Sequence, residues 1–241
     1  MKTIGLLGGM SWESTVSYYR IINQAVRERL GGLHSAKIIL YSVDFDGIER
    51  MQTNGDWKGA GRLLATAAQS LQAAGADFIV LCTNTMHKVA PAIEEAVTIP
   101  FLHVADATAL AIRDGGHRTI GLLGTAFTME QSFYKGRLQE RHGLQVLVPG
   151  DDDRRDVHRV IYEELCVGTI RSQSREVYRA VMRQLVARGA EAIVLGCTEI
   201  SLLVSQDDAA VPLFDTTLIH ARSAVEMALP CPGNPARGFA A

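Results

Sequence analysis

Short runs of apolar and β-branched residues alternate along the chain with longer segments in which apolar residues recur at helical spacing. Eight runs are predicted to be strands: Thr3–Leu7, Lys37–Asp44, Asp77–Cys82, Pro100–Val104, Thr119–Leu123, Gln145–Val148, Ala192–Gly196 and Val211–Phe214. Between Asp56 and Ala74 the apolar positions advance by alternating steps of three and one, the stripe of an amphipathic helix. Strands that alternate with helices predict an α/β fold with parallel sheets covered by helices.

An internal repeat divides this pattern into two similar halves. Ile4–Gly8 recurs as Ile120–Gly124, Gly75–Leu81 as Gly189–Leu195, and Ile99–Leu102 as Val211–Phe214, at offsets of 116, 114 and 112 residues. Three matches in the same order indicate duplication rather than chance similarity between buried strands. We expect two similar lobes related by a pseudo-twofold axis, each a four-stranded, mainly parallel sheet flanked by helices. Because open parallel sheets bind ligands beyond the carboxyl ends of their strands, we expect the active site at the lobe interface.

The repeat also sets the expected domain boundaries. We assign residues 1–98 and 208–229 to the first lobe, since the chain is expected to cross back, and residues 99–207 to the second. Residues 230–241 contain three prolines and two glycines, and they are predicted to form a flexible tail. Cys231 lies in this tail, and we expect it to have no functional role.

Composition narrows the class of protein. Of 241 residues, 47% are apolar and 21% are charged, which is typical of a globular chain with a sizeable core. The net charge of −2 argues against a nucleic-acid partner, and no apolar run is long enough for a membrane span. The chain enters a predicted strand at Thr3, which leaves no room for a signal peptide. Its four cysteines lack disulfide or zinc spacing, so we expect a cytoplasmic protein with reduced thiols.

Candidate chemistry lies where the third strand of each lobe ends. The first of these strands is followed by Cys82, Thr83, Asn84 and Thr85, and the second ends in Gly196 and is followed by Cys197, Thr198 and Glu199. The offset of 114 residues continues into both loops and pairs Thr83 with Cys197. Since side chains alternate direction along a strand end, we predict that Thr83 and Cys197 face one another and that Cys82 packs as a small buried residue.

Both loops are expected to begin helices, whose free backbone N–H groups favour anions such as a substrate carboxylate. The same field is expected to lower the pKa of Cys197 from its usual ~8.5 and to generate a thiolate. Glu199 either holds or receives a proton near this thiol, or is a solvated carboxylate of the first helical turn.

These two loops, together with the opening segment Gly5–Trp12, resemble the cofactor-independent aspartate/glutamate racemase family. The resemblance extends to about Leu229, and Met10–Thr15, Asn84–His87 and Glu163–Leu165 are similar to the enterobacterial L-aspartate/glutamate-specific branch. It implies two groups, usually cysteines, on either side of the substrate α-carbon. One removes the α-proton as a thiolate and the other returns a proton to the opposite face. The resemblance also implies no pyridoxal phosphate, no metal, a small amino-acid substrate and a homodimer.

The chain departs from the family pattern at Thr83, where the resemblance would place a cysteine. A threonine hydroxyl is a far weaker acid than a thiol and cannot store a ready base at neutral pH, although it can donate or relay a proton. We therefore expect an asymmetric site in which Cys197 is the principal base. By resemblance, the group of the second lobe acts on the L-enantiomer, so the L-substrate is expected to be the better starting material.

The residues expected to bind the substrate lie in the strand-end loops or close to them. They are Met10, Gln52, Thr83, Asn84, Thr85, Leu165, Thr198 and Glu199. Cys166 is a further candidate for the pocket wall. Arg50 and Lys88 are the candidates for binding a second carboxylate, the alternative for each being a solvated surface charge.

Two other kinds of site are disfavoured by spacing. His87, His103, His117 and His220 show no metal-ligand spacing, and surface or helix-capping roles are expected for them. Gly5–Gly9 follows a strand but lacks both the dinucleotide-binding spacing and a Walker lysine.

Three functions therefore remain open. The favoured one is racemisation of a small amino acid, aspartate or glutamate first. The second is a single-thiol relative such as a malonate decarboxylase or hydantoin racemase, which would protonate a planar enolate from one face. The third is a non-catalytic ligand-binding module, which would tolerate the loss of Cys197.

Overall fold

The structure is a computed structural model that describes residues 1–229, so the predicted tail at residues 230–241 and Cys231 lie outside the described residues. Residues 1–104 and 220–229 form one compact unit, and residues 105–219 form a second. These boundaries differ from the ones expected at residues 98 and 207. The difference arises because the fourth strand of each sheet pairs with the strand before it and so stays with its own unit.

All eight predicted strands are present, and their ends lie within two residues of the predicted ones. They are β1 (Ile4–Gly8), β2 (Ile38–Ser42), β3 (Phe78–Leu81), β4 (Phe101–Leu102), β5 (Thr119–Gly124), β6 (Gln145–Leu147), β7 (Ala192–Gly196) and β8 (Leu213–Asp215). Every pairing is parallel, in the order β2-β1-β3-β4 in one sheet and β6-β5-β7-β8 in the other. The predicted α/β fold with two four-stranded sheets flanked by helices is confirmed.

Helices follow most of the strands. They are α1 (Trp12–Leu30), α2 (Phe45–Thr53), α3 (Trp57–Ala73), α4 (Ala90–Ala96), α5 (Val104–Asp114), α6 (Ala126–Glu130), α7 (Lys135–Glu140), α8 (Asp151–Glu163), α9 (Ser172–Ala187), α10 (Ile200–Leu203) and α11 (Thr216–Ala228). Short 3-10 helices occupy Thr85–Val89, Leu165–Val167 and Gln206–Asp208. Helix α3 is the amphipathic helix predicted from the apolar stripe, and it buries Leu64, Ala68 and Leu71.

The first unit packs a separate core layer on each face of its sheet. On one face Leu7, Ile79 and Leu81 pack in the same cluster as Leu64 and Ala68 of α3. On the other face Ile4, Leu6 and Val80 pack in a cluster with Tyr18 and Ile22 of α1 and Ala224 of α11. Strands covered on both faces are apolar at successive positions, which is why these runs were recognisable in the sequence.

The duplicated residues make the same hydrogen bonds in both units. The backbone N–H of Thr3 donates to Asp77 Oδ2 at 2.6 Å, and that of Thr119 donates to Glu191 Oε2 at 3.0 Å. In each case an acidic residue just before the third strand binds the backbone just before or at the start of the central strand. The repeat therefore preserves a specific strand-to-strand attachment as well as an apolar pattern.

A second duplicated feature is a glycine in each central strand. A Cβ atom at Gly121 would lie 2.6 Å from Ile193 Cδ1 and 3.0 Å from Leu185 Cδ1, and a Cβ at Gly5 would lie 2.9 Å from Ala76 Cβ. Both distances to the nearest atom are shorter than a normal carbon–carbon contact. Glycine at these positions thus allows the covering layer to approach the strand closely.

Candidate active site

The strand registers support the equivalence of the two candidate catalytic residues. In the first sheet Leu7 pairs with Leu81, and in the second sheet the repeat-related Leu123 pairs with Leu195. Thr83 lies two residues beyond the first of these pairs on β3, and Cys197 lies two residues beyond the second on β7. Each unit therefore presents one of the two groups at the same place in its own sheet.

Cys82, the residue next to Thr83, is fully buried and packs in the core layer that contains Tyr18 and Val80. Burial raises the pKa of its thiol far above the ordinary value. Its backbone carbonyl accepts a hydrogen bond from Ser14 Oγ at 3.0 Å. Cys82 is therefore a packed, buried residue, as predicted, and its burial keeps the thiol protonated.

Thr83, Asn84 and Thr85 are buried at the end of β3, and a 3-10 helix begins at Thr85. The backbone N–H of Thr83 donates to Leu81 O at 2.9 Å. Its carbonyl oxygen is 2.7 Å from His87 Nδ1. The backbone N–H and the carbonyl of Thr83 are thus both held by hydrogen bonds, which fixes the backbone that carries its hydroxyl.

Three of the four histidines, His87, His103 and His220, are buried, which contradicts a surface role for them. The alternative helix-capping role fits His87, because the backbone N–H of Val104 at the start of α5 donates to His87 Nε2 at 3.2 Å. His87, His103 and His220 belong to the first unit, and the ring centroids of His87 and His103 are 4.5 Å apart. His220 Nε2 is 2.8 Å from Leu102 O, and its Nδ1 is 2.9 Å from the hydroxyl of Tyr18. The partners of His220 are distant in sequence, so the linear spacing of the histidines carried no sign of its burial. One signal was present, however: His87 follows Thr83 by four residues, the spacing that brings a side chain over a carbonyl one helical turn earlier.

Two further predicted residues, Met10 and Gln52, are each associated with Met86 of the 3-10 helix that follows Thr83. Gln52, near the end of α2, is buried and its Nε2 donates to Met86 Sδ at 2.9 Å. Met10 is buried in the core layer that contains Met86 and Ile48. The first unit therefore brings Met10 and Gln52 together around the 3-10 helix that follows Thr83.

In the second unit, Cys197, Thr198 and Glu199 form a connected polar group at the end of β7. The thiol of Cys197 donates to Glu199 Oε2 at 3.0 Å, and the Thr198 hydroxyl donates to the same oxygen at 2.7 Å. Cys197 and Glu199 are both buried, although 9% of the surface of Cys197 stays accessible. Glu199 is therefore hydrogen-bonded to the thiol rather than being a solvated carboxylate.

The expected lowering of the Cys197 pKa is wrong. Burial, followed by the negative charge of Glu199 and the neighbouring Cys166, raises the pKa of this thiol well above its ordinary value. The helix after the loop, α10, is only one turn long, so its dipole offers little compensation. At neutral pH the thiol of the ligand-free protein is protonated and hydrogen-bonded to a carboxylate.

Leu165 and Cys166 lie in the 3-10 helix that follows α8. Leu165 is buried, and the adjacent Glu164 is also buried and accepts a hydrogen bond from Ser174 Oγ at 2.6 Å. Burial and then the nearby charges of Cys197, Glu164 and Cys166 raise the pKa of Tyr178. Cys166 of this 3-10 helix also acts on the pKa of Cys197, so the helix lies close enough to Cys197 for their charges to interact within the second unit.

Both basic residues considered for binding a second substrate carboxylate, Arg50 and Lys88, already have a partner in the protein. Arg50 forms a surface ion pair with Asp46 at 2.9 Å, and 72% of its side chain is exposed. Lys88 Nζ lies 3.7 Å from the ring centroid of Trp57, and burial lowers the pKa of Lys88. Arg50 is thus a solvated surface charge, whereas Lys88 is stacked on an aromatic ring.

Within residues 1–229, no three histidine, cysteine, aspartate or glutamate side chains are grouped so that they could share a metal ion. None of the helices in that range combines the length and the apolar character needed to cross a membrane.

Each of the two repeated α/β units carries one candidate group, a hydroxyl or a thiol, at the equivalent strand end, as expected from the resemblance to the aspartate/glutamate racemase family. Comparison with known proteins agrees, because the model of the Asp/Glu/hydantoin racemase family matches residues 7–224. The chain belongs to this family, and it is an enzyme of the racemase class.

Individual relatives extend this comparison. The broad-specificity amino-acid racemase RacX of Bacillus subtilis is 21% identical over 92% of this chain and 96% of its own. A crystal structure of a Yersinia pestis protein provisionally assigned as an Asp/Glu racemase is 60% identical, with a TM-score of 0.91 over 95% of this chain and 99% of the other. An aspartate racemase homologue from Pyrococcus horikoshii is 36% identical, with a TM-score of 0.83 over the same shares of the two chains.

Proposed function

We propose that this protein interconverts the L- and D-enantiomers of a small amino acid, aspartate or glutamate foremost, without a cofactor. The observation that carries the proposal is the pair of equivalent strand ends, one with Thr83 and the other with Cys197 bonded to Glu199. The names of the Yersinia and Pyrococcus relatives support an acidic substrate, whereas the name of RacX supports a wider range.

In the proposed reaction Cys197 acts as a thiolate base. Because its thiol is protonated before substrate binds, the proton must first leave, and Glu199 Oε2 is the acceptor already in place at 3.0 Å. The thiolate then takes the α-proton of the L-substrate and leaves a planar carbanion. This route replaces the helix field, which was expected to generate the thiolate, by a specific proton acceptor.

Thr83 is proposed to protonate the opposite face of that carbanion. Its hydroxyl passes on a proton from solvent rather than remaining as an alkoxide, since threonine is too weak an acid to stay ionised at neutral pH. Cys197 keeps the α-proton as a thiol, and Glu199 releases its proton to solvent, which balances the proton that solvent supplies through Thr83 and closes the cycle. The two half-reactions thus use groups of very different acidity.

This asymmetry is proposed to favour the L-substrate as starting material. Enantiomers have equal free energies in water, so a true racemase must have equal kcat/KM in both directions. A preference for the L-substrate therefore has to arise from unequal kcat and KM values, or from proton exchange that returns to the same face.

Substrate binding is proposed to involve the buried groups around the two strand ends. They are Met10, Gln52, Asn84, Thr85, Leu165, Thr198 and Glu199. Asn84, Thr85 and Thr198 provide polar atoms for the α-amino and carboxylate groups. Glu199 stays next to the reacting thiol.

We also propose that the enzyme is a cytoplasmic homodimer. Trp12, Val16 and Tyr19 are at least half exposed on α1, and their spacing of four and three residues places them on one face of the helix. Large apolar side chains clustered in this way are typical of protein interfaces. Analytical ultracentrifugation tests the dimer. We expect the wild-type protein to sediment as a dimer and the Trp12→Glu variant to dissociate, and a monomeric wild-type protein would refute the proposal.

The function is tested by incubating the purified protein with L-aspartate and L-glutamate in D2O without added cofactor. We expect α-deuterium incorporation and D-isomer formation, both abolished by Cys197→Ala and retained by Cys82→Ala. The second variant is a matched control, since it removes a buried thiol that the proposal does not use.

Other outcomes discriminate between the remaining functions. Racemisation of a 5-substituted hydantoin instead of an amino acid would place the protein with the hydantoin racemases named in the family description. Absence of exchange on every amino acid and hydantoin tested would refute racemisation. Deuterium incorporation without inversion would show that Thr83 does not complete the second half-reaction.

A further inference from the structure

His87 joins two separate backbone segments of the first unit. Its Nδ1 is 2.7 Å from the carbonyl oxygen of Thr83, and its Nε2 is 3.2 Å from the backbone nitrogen of Val104. Val104 is the first residue of α5, whereas Thr83 lies at the end of β3. The imidazole ring therefore bridges the candidate catalytic loop and the start of the helix that follows β4.

The two partners determine the protonation state of this ring. A backbone N–H can only donate, so Nε2 must accept the hydrogen bond from Val104 and carry no proton. The Thr83 carbonyl can only accept, so Nδ1 must carry the proton. His87 is consequently a neutral imidazole in a single tautomer, and its surroundings of Phe101, His103 and His220 bury it almost completely.

We propose that His87 is a positioning residue for the proton transfer at Thr83, an inference that rests on the proposed racemase function. One peptide group beside Thr83 is held through its N–H to Leu81 O, and His87 holds the next one through the carbonyl. With both flanking peptide planes fixed, the direction of the Thr83 Cα–Cβ bond is fixed as well. Only rotation about that bond remains for aiming the hydroxyl.

Positioning matters more for Thr83 than it would for a cysteine. A thiolate is a strong base before the reaction begins, whereas a threonine hydroxyl acts only while it is aligned with both the carbanion and its own proton source. Misplacement of a reacting group by about 1 Å can reduce its rate by about a hundredfold. The bond from Nδ1 to the Thr83 carbonyl is the contact that prevents such a shift.

Two isosteric substitutions separate this role from general stabilisation of the fold. In His87→Asn the amide nitrogen can occupy the place of Nδ1 and donate to Thr83 O, while the acceptor for Val104 is lost. In His87→Gln the amide oxygen can occupy the place of Nε2 and accept from Val104, while the donor to Thr83 is lost. Each variant loses one buried hydrogen bond, so the pair is matched in its expected effect on stability.

The readout is the ratio of D-aspartate formation to α-deuterium incorporation when L-aspartate is incubated in D2O. Exchange at the L-face reports Cys197, and inversion requires Thr83 as well. We expect His87→Gln to lower the ratio at least tenfold while L-face exchange stays within about threefold of wild type. His87→Asn should retain most of the wild-type ratio. Melting temperatures measured in parallel show whether both variants are folded.

Equal ratios in the wild type and His87→Gln would overturn the inference. It would also be overturned if the ratio fell equally in both variants and in proportion to the decrease in their melting temperatures. In a Thr83→Val background, His87→Gln should change nothing further in the ratio, and an additional loss there would also contradict the positioning role. Failure of the proposed function itself gives a different result, because the wild-type protein would then show no exchange at all.

Discussion

The buried His220 gives a quantitative prediction for stability at acidic pH. Burial lowers the pKa of this histidine from its ordinary value to about 4, despite the hydrogen bond that Nε2 donates to Leu102 O. The unfolded chain binds a proton at about pH 6.5, whereas the folded protein resists protonation until about pH 4. The contribution of His220 is therefore fully present above pH 6.5 and is lost as the pH falls toward 4.

The magnitude follows from the difference between the two pKa values. Proton linkage at this one site amounts to about 2 kcal/mol lost between pH 7 and pH 5, and about 3 kcal/mol by pH 4. A typical domain is stable by only about 5–15 kcal/mol, so this loss is large.

Urea unfolding at pH 7, 6 and 5 provides the assay. The two tryptophans of the chain, Trp12 and Trp57, both belong to the first unit, so their fluorescence reports the unit that contains His220. A His220→Gln variant removes the titrating group, and we expect its loss of stability between pH 7 and 5 to be about 2 kcal/mol smaller than that of the wild type. The exposed His34 supplies the control, because His34→Gln should leave the wild-type pH dependence intact. An unchanged pH dependence in His220→Gln would refute the reasoning, whatever its stability at pH 7.

Two further predictions concern the second unit. In Glu199→Gln the loss of the carboxylate should lower the pKa of Cys197, so iodoacetamide should alkylate the thiol at a lower pH than in the wild type. The same variant should lose at least tenfold in kcat, because the proton acceptor of the thiol is gone. A higher pH midpoint for alkylation, or an unaffected kcat, would contradict this. Gly121→Ala should destabilise the protein by about 1–3 kcal/mol in thermal or urea unfolding, since its Cβ would lie 2.6 Å from a neighbouring methyl carbon. As a control, an alanine Cβ at Gly47 inside helix α2 meets no atom within 4 Å, so Gly47→Ala should be neutral or slightly stabilising. Equal stabilities of the two alanine variants would be inconsistent with the close approach.

The parts of the fold that the sequence predicts are those built from residues close together in the chain. Strands buried on both faces are apolar at successive positions, so all eight were recognisable. The internal repeat also reflects specific hydrogen bonds, because Asp77 and Glu191 each bind the backbone at the start of the central strand of their own sheet. The same regularity identified Thr83 and Cys197 as equivalent positions, and the strand registers agree.

The parts that escaped prediction depend on contacts between distant segments. His220 is buried because Tyr18 and Leu102 supply its partners, and these residues are 202 and 118 positions away in the chain. The pKa of Cys197 was predicted in the wrong direction for a local reason as well. The loop sequence suggested a helix start, but the helix has a single turn and the carboxylate of Glu199 lies against the thiol. Charge and desolvation at one atom outweighed the field of so short a helix.

The path of the chain has a consequence for biosynthesis. Residues 105–219 form a contiguous unit, whereas the first unit needs residues from both ends of the described chain. Helix α11 contributes Ala221, Ala224 and Val225 to the core layer around β1 and β3, and Lys2 donates a backbone hydrogen bond to Ala228. Domains tend to fold as soon as they leave the ribosome. Here residues 1–104 need residues 220–229, which are translated only after the whole second unit, so the second unit is complete while one face of the first sheet is covered by α1 without α11. A nascent chain that stalls before α11 emerges leaves part of that face exposed, and quality-control proteases would meet an incomplete enzyme whose thiol-bearing unit is already folded.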